Sequence, residues 1–377
     1  MQEFPLTPID PMGLPASVAF ILFFKVLGFV LHMIPMNIWY AGVPLSIVLG
    51  VFARGNLQRI GFRLMYAMPI LIALGINFGI IALLFIQIIY YPQFYTAGIL
   101  IAWPWFFVIV FLIFAYYGVY IYSAQIKRGH INKLGYLSGG LSAILFLVIG
   151  FIFTNNFSLM TNARQMLNIY EKTNIGGAVT GLALNFGDPT LLPRWLLMLG
   201  IAITTTSVWL LIDRQFFCST ETEEYLNFVP KFVAILYTLG ILWMGISGSW
   251  YIWGALPESI FKQAINIPWV KSLFAFAGVS AILPWLWILI RRNSMSLSAT
   301  WIAAGLQLMV IVSNALSRQW VQIAEISRFM PITRDPVNWQ WSPLIVFLVL
   351  FVLGLGVIVW MLKKIIALPR KATISIK

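Results

Sequence analysis

Long apolar runs fill most of this chain, and short polar stretches break them at intervals. Nine runs are long enough to cross a bilayer: roughly 17–51, 64–91, 98–124, 134–157, 191–213, 229–252, 270–291, 298–316 and 342–362. A helix rises 1.5 Å per residue, so about 20 apolar residues cross about 30 Å of hydrocarbon. None of the runs alternates polar with apolar residues, as strands of a membrane barrel do. Pro and Gly interrupt several of them, which packed membrane helices tolerate when neighbours satisfy the freed backbone groups. The pattern predicts an all-α fold, a polytopic membrane helical bundle of about nine transmembrane helices. Residues 1–16 read as an external N-terminal tail, 17–362 as a single transmembrane bundle and 363–377 as a basic cytoplasmic tail.

Composition agrees: 61% of residues are hydrophobic and 9% charged, with a mean hydropathy of +0.91. The net charge of +13 would suggest a nucleic-acid partner until it is mapped. Cytoplasmic loops of membrane proteins carry an excess of Lys and Arg. With the N-terminus outside, 15 basic residues fall on inner segments: Arg54, Arg59, Arg63, Lys127, Arg128, Lys133, Arg214, Lys231, Arg291, Arg292, Lys363, Lys364, Arg370, Lys371 and Lys377. Eight fall outside: Arg164, Lys172, Arg194, Lys262, Lys271, Arg318, Arg328 and Arg334. The bias predicts N-terminus outside, C-terminus inside, in a bacterial-type inner (cytoplasmic) membrane. The charge is topological, so no nucleic acid is expected as partner. The first sixteen residues carry Glu3 and Asp10 and lack a basic n-region, so they read as a tail rather than a cleaved signal. Cys218 is the only cysteine, which excludes a disulfide, a cysteine-held cluster and c-type haem attachment within this chain.

Candidate chemistry is sparse. There are two histidines. His130 sits in the basic loop KRGHINK and reads as a solvated residue. His32 lies inside the first apolar run, seven residues after Lys25, so the two share a helix face. Ionisable groups within a bilayer are costly and mark either function or a buried contact. His32 reads first as a hydrogen-bonded bundle residue, with a haem ligand as the close alternative. Met36, one turn on, reads as a space-filler. No carboxylate falls in the middle of a predicted span, which counts against a proton pump. No metal-site spacing, phosphate loop or Ser-His-Asp set is present. Trp and Tyr clusters near span ends (WPWFF, WYIW, WQW) read as interfacial belts. The loop at about 158–190 is mildly apolar and suits a membrane surface or a neighbouring subunit. The acidic stretch CSTETEE (218–224) reads as a solvated turn.

Four stretches carry a resemblance. LHMIPMNIWYAGVPLSIVLG lies in the first span, and GINFGI (75–80) with YPQFYTAGILIAWPWFF in the second and third. SNALSRQWVQIAEISRFMPITRDPV lies at the external end of the eighth. Their order and spacing resemble the large subunit of cytochrome bd-type quinol oxidases, and the chain is similar to a degenerate member of that subunit-I-like superfamily. Arg318, Gln319, Trp320, Pro331 and Thr333 carry the last match. The resemblance implies nine spans, an external N-terminus and, at the position of the family's first-helix haem histidine, His32. It also shows departures. The third span has no carboxylate where the family has a glutamate. The fifth (193–212) lacks the family's histidine, and the seventh (273–290) lacks its methionine. The external quinol loop is reduced to about 254–269.

The resemblance and its departures together imply an integral membrane subunit of a respiratory electron-transfer complex, without catalytic residues or a quinol site of its own. Either one haem b has its iron on His32, with Lys25 near a haem propionate or neighbouring charge, or the chain is a haem-free scaffold. Expected partners are other membrane subunits of a redox complex, a c-type cytochrome or a haem-bearing homologue, and lipid. The alternative is a membrane transporter or channel-like subunit with no redox role.

Overall fold

A computed structural model describes residues 11–367. Residues 1–10 and 368–377 of the expected tails, with Glu3, Asp10, Arg370, Lys371 and Lys377, lie outside the described residues, whereas 363–367 continue the last helix. The helices are α1 (Val18–Phe52), α2 (Gly55–Ile89), α3 (Tyr91–Leu100), α4 (Ala102–Lys127), α5 (Lys133–Met160), α6 (Ala163–Thr173) and α7 (Leu191–Phe217). They continue as α8 (Glu223–Ser249), α9 (Glu258–Asn266), α10 (Pro268–Val279), α11 (Ile282–Arg291), α12 (Leu297–Ile326) and α13 (Trp341–Ala367). A two-residue hairpin, β1 (Asn174–Ile175) against β2 (Ala178–Val179), follows α6. Among the described residues, nine segments are long and apolar enough to cross a membrane. α8 with the wide turn at 250–255 forms one of them, and α10 with α11 another. The chain is a multi-pass membrane helical bundle.

Side-chain caps set several helix starts. Ser17, Asn132, Asn162, Thr222 and Ser296 each accept a backbone N–H from the first turn, as short polar side chains do at N-caps. Three spans outrun the apolar pattern. α2 starts at Gly55 rather than 64, α8 at Glu223 rather than 229, and α12 runs to Ile326 rather than 316. Hydropathy stops at the first charges, but the helix continues where those charges are paired within the bundle. On α2, Arg63 makes a fork to Asp213 of α7 (Nε–Oδ2 2.8 Å, Nη2–Oδ1 3.0 Å) and reaches Glu221 Oε1 at 3.1 Å. Arg59 pairs with Glu221 as well.

The stretch 218–224 is a largely exposed turn, as its sequence suggests, except at Cys218 and Glu221. The Glu221 side chain is 1% exposed between two arginines, and Cys218 is buried beside Asp213. The loop after α5 is also more ordered than its sequence suggests. It folds back on the bundle, where Asn185 donates from its backbone to Asn155 Oδ1 (3.0 Å) and from its side chain to Ser158 Oγ (3.0 Å).

The antiparallel α1–α2 pair forms the heart of the molecule, with α7 packed against α1. Small residues allow the approach, as in other membrane helix pairs. A Cβ at Gly28 would stand 2.8 Å from Ile81 Cγ2, and one at Gly61 2.9 Å from Leu49 Cβ. α13 lies at the edge and packs through Leu344, Phe347 and Phe351 against Phe24 and Phe85.

Candidate functional site

His32 stands at the α1–α2 interface, half-buried. Its Nδ1 lies 2.7 Å from the Gly75 carbonyl oxygen. A carbonyl only accepts, so Nδ1 carries the proton and Nε2 keeps a lone pair. Nε2 has no hydrogen-bond partner among the described residues. The ring fits because position 79, one turn beyond Gly75, is glycine. A Cβ there would come within 2.9 Å of Nδ1 and 3.0 Å of Cε1. Gly79 of GINFGI therefore leaves the space for the imidazole, while Gly75 supplies the acceptor carbonyl and leaves room for Trp39. Trp39 meets the ring edge-on at 6.4 Å, and Met36 is buried nearby.

Lys25 shares the helix with His32 but contacts different elements. Its Nζ donates to Gln319 Oε1 and Gln322 Oε1 of α12 and lies 5.0 Å from the centre of the Tyr90 ring. Gln319 in turn donates to Tyr90 Oη (3.1 Å). The ammonium is thus satisfied by two neutral amides and an aromatic face, with no carboxylate. This arrangement cross-links α1, α12 and the α2–α3 junction.

The other two family-motif residues separate. Trp320 meets Phe274 edge-on at 5.6 Å. Arg318 places its guanidinium 4.6 Å from the Phe29 ring centre and 5.3 Å from that of Phe157. Among the described residues it has no hydrogen bond or ion pair. Nearby, Arg194 of α7 pairs with Glu325 of α12 at 2.5 Å and lies over Tyr251.

A second polar cluster fills the centre of the bundle. Tyr237 donates to Gln307 Oε1 (2.7 Å), and Gln307 Nε2 donates to Thr204 and Thr205 Oγ1 (both 3.1 Å). Asn37 Nδ2 donates to Thr205 Oγ1 at 3.2 Å, and Thr206 donates to the Asn37 and Ile38 carbonyls. α7, the fifth span, thus carries a run of four buried hydroxyls, Thr204–Ser207. α1, α7, α8 and α12 are joined there by side chains.

Among the described residues, His32 is the position whose chemistry suits an axial haem ligand. His32 offers an axial nitrogen of the right tautomer, with its other N–H on a backbone carbonyl, the arrangement common among metal-ligating histidines. The hydroxyl and amide cluster at the bundle centre offers no ligand of that kind. Among the described residues no group of three or more His, Cys, Asp or Glu could hold a metal ion. Sequence reading missed Gln322, Gln307 and the threonine run. The signal was present as polar residues at helical spacing inside apolar runs, such as Gln319 and Gln322 three apart.

No family model matches the chain, and no curated protein matches it in sequence. The fold does match a solved structure. One chain of the bd oxidase from Geobacillus thermodenitrificans superposes with a TM-score of 0.64 at 14% identity. The match covers 94% of this chain and 98% of that one. At that identity the likeness is one of fold.

Proposed function

We propose that this chain is a membrane subunit of a bd-like redox complex, carrying a single haem b on His32. In this reading it neither oxidises quinol nor reduces oxygen by itself. The observation that carries the proposal is the His32 ring, with Nδ1–H spent on Gly75 and Nε2 unpartnered. A haem there would supply a one-electron carrier whose potential follows from ligation and burial. The chain's own residues would do the rest. Gly75 fixes the tautomer, Gly79 leaves the ring its space, and Arg318 supplies an unpaired positive charge close by. Lys25, already held by Gln319 and Gln322, would brace α1 against α12 rather than reach a propionate. The Lys/Arg bias supports an external N-terminus.

A haem-free scaffold is the second reading, and the packed polar centre of the bundle favours it. One experiment separates the two: purify the complex and compare reduced-minus-oxidised spectra of wild type and His32→Ala. Loss of one b-type signal with the complex intact supports the ligand role. Unchanged haem content with a weakened complex leaves the scaffold.

A further inference from the structure

At the end of the bundle opposite the Lys25 network, a cavity of about 660 Å³ opens between four helices. It is lined by Arg214 of α7, Asn227, Pro230 and Lys231 of α8, and the α11–α12 turn from Arg292 to Ser296. Ligand sites commonly have this size. We infer that this cavity binds the phosphate group of an anionic membrane phospholipid.

Three cations line it, and no acidic side chain does. Arg214 is fixed in place: Nε donates to the Leu226 carbonyl (2.7 Å) and Nη1 to the Met295 carbonyl (3.0 Å). Its remaining N–H groups stay available in a rigid fork, the geometry that binds phosphate oxygens in pairs. Lys231 and Arg292 are exposed and make no hydrogen bond or ion pair among the described residues. Glu223, in the first turn of α8, acts electrostatically on Arg214 but does not line the cavity. The N-terminus of the 30-residue α12 opens at Ser296 and adds the positive end of its dipole.

The residues beside the cavity indicate the source of the phosphate. Exposed apolar residues continue from its lining towards the middle of the membrane: Ile235 and Leu239 at helical spacing after Lys231, and Leu297 and Trp301 after Ser296. Acyl chains would cover these residues; a free phosphate ion would leave them bare. Basic pockets between membrane helices bind anionic headgroups by the same physics.

Native mass spectrometry of the full-length protein in detergent tests this, with phosphatidylglycerol, phosphatidylcholine and inorganic phosphate as probes. The variant is Lys231→Gln with Arg292→Gln, chosen because neither side chain bonds to the fold. Size exclusion and thermal unfolding check that it folds as wild type does. If it does not, the single variants are read in its place. The wild type should retain phosphatidylglycerol, and the double variant should retain it about tenfold more weakly. Phosphatidylcholine binding should be the same for both. Equal retention of phosphatidylglycerol by both proteins would overturn the proposal. So would displacement of the lipid by millimolar inorganic phosphate, which would mark a free-phosphate site.

Discussion

The imidazole of His32 and the carbonyl of Gly75 face each other at 2.7 Å across the α1–α2 interface, and Gly79 leaves the space that lets them meet. One helix supplies the ring; the other supplies both the acceptor and the room.

Gly79→Ala puts a methyl group 2.9 Å from Nδ1. Inserting a methyl into packed space costs about 1–3 kcal/mol. Because the clash is with His32, Gly79→Ala made in a His32→Ala background should cost much less. Coupled sites show such non-additivity in a double-mutant cycle. Thermal unfolding of the four proteins measures it, and additive losses would show that Gly79 does not make room for the ring.

The bundle itself was legible because hydropathy alone marks a bilayer-length helix, and all nine apolar runs became spans. Their ends were not legible. Arg59, Arg63 and Glu325 each look like a place to stop until their partners Asp213, Glu221 and Arg194 are brought near. Those partners are far apart in sequence, and no local pattern predicts the pairing. His32 was visible as a lone ionisable group, but its tautomer rests on a carbonyl 43 residues away. Lys25 was visible too, yet its neutral partners gave no charge signal.

Gln307 holds three bonds at the bundle centre, to Tyr237, Thr204 and Thr205. Interhelical hydrogen bonds within membranes contribute about 0.6 kcal/mol on average and up to about 1.7 kcal/mol. Gln307→Leu should therefore destabilise the protein by about 1–2 kcal/mol in a denaturant titration. Its haem content should match wild type, because the hydroxyls and amide of this network are poor ligands for haem iron. A fall in haem content would move the cofactor site to the bundle centre.

Arg194 and Glu325 form a largely buried ion pair at 2.5 Å between α7 and α12, with the arginine side chain 20% exposed. Removing one partner of such a pair leaves an uncompensated charge and costs about 3–5 kcal/mol, whereas replacing both by apolar residues is often neutral. Arg194→Met and Glu325→Leu should each lower the unfolding midpoint sharply. The double variant should recover most of the loss. Single variants that melt like wild type would show that water reaches the pair.

Burial pushes the Cys218 thiol up from its ordinary value, and the neighbouring Asp213 carboxylate adds to the effect. Only the thiolate attacks a maleimide, so raising the thiol's pKa reduces the reactive fraction at neutral and mildly alkaline pH. Cys218 should stay unlabelled in the folded protein up to about pH 9 and react fully once denatured. Rapid labelling of the native protein at pH 7 would contradict the buried placement.

A silent native cysteine makes the orientation of the bundle directly measurable. His130 is exposed in the basic turn between α4 and α5, and Ala178 is exposed in the hairpin after α6. α5, long and apolar enough to cross a membrane, separates the two positions and should place them on opposite sides. The excess of Lys and Arg should hold the 128–133 turn inside, because basic loops resist translocation. In intact cells a membrane-impermeant maleimide should label Ala178→Cys and leave His130→Cys unmodified. Permeabilisation should then make both react. The reverse pattern would place the N-terminus inside and put the Lys25–Gln319–Gln322 network and Arg318 on the cytoplasmic face. An electron donor for His32 would then have to approach from the cytoplasm, which would leave no role for an external c-type cytochrome.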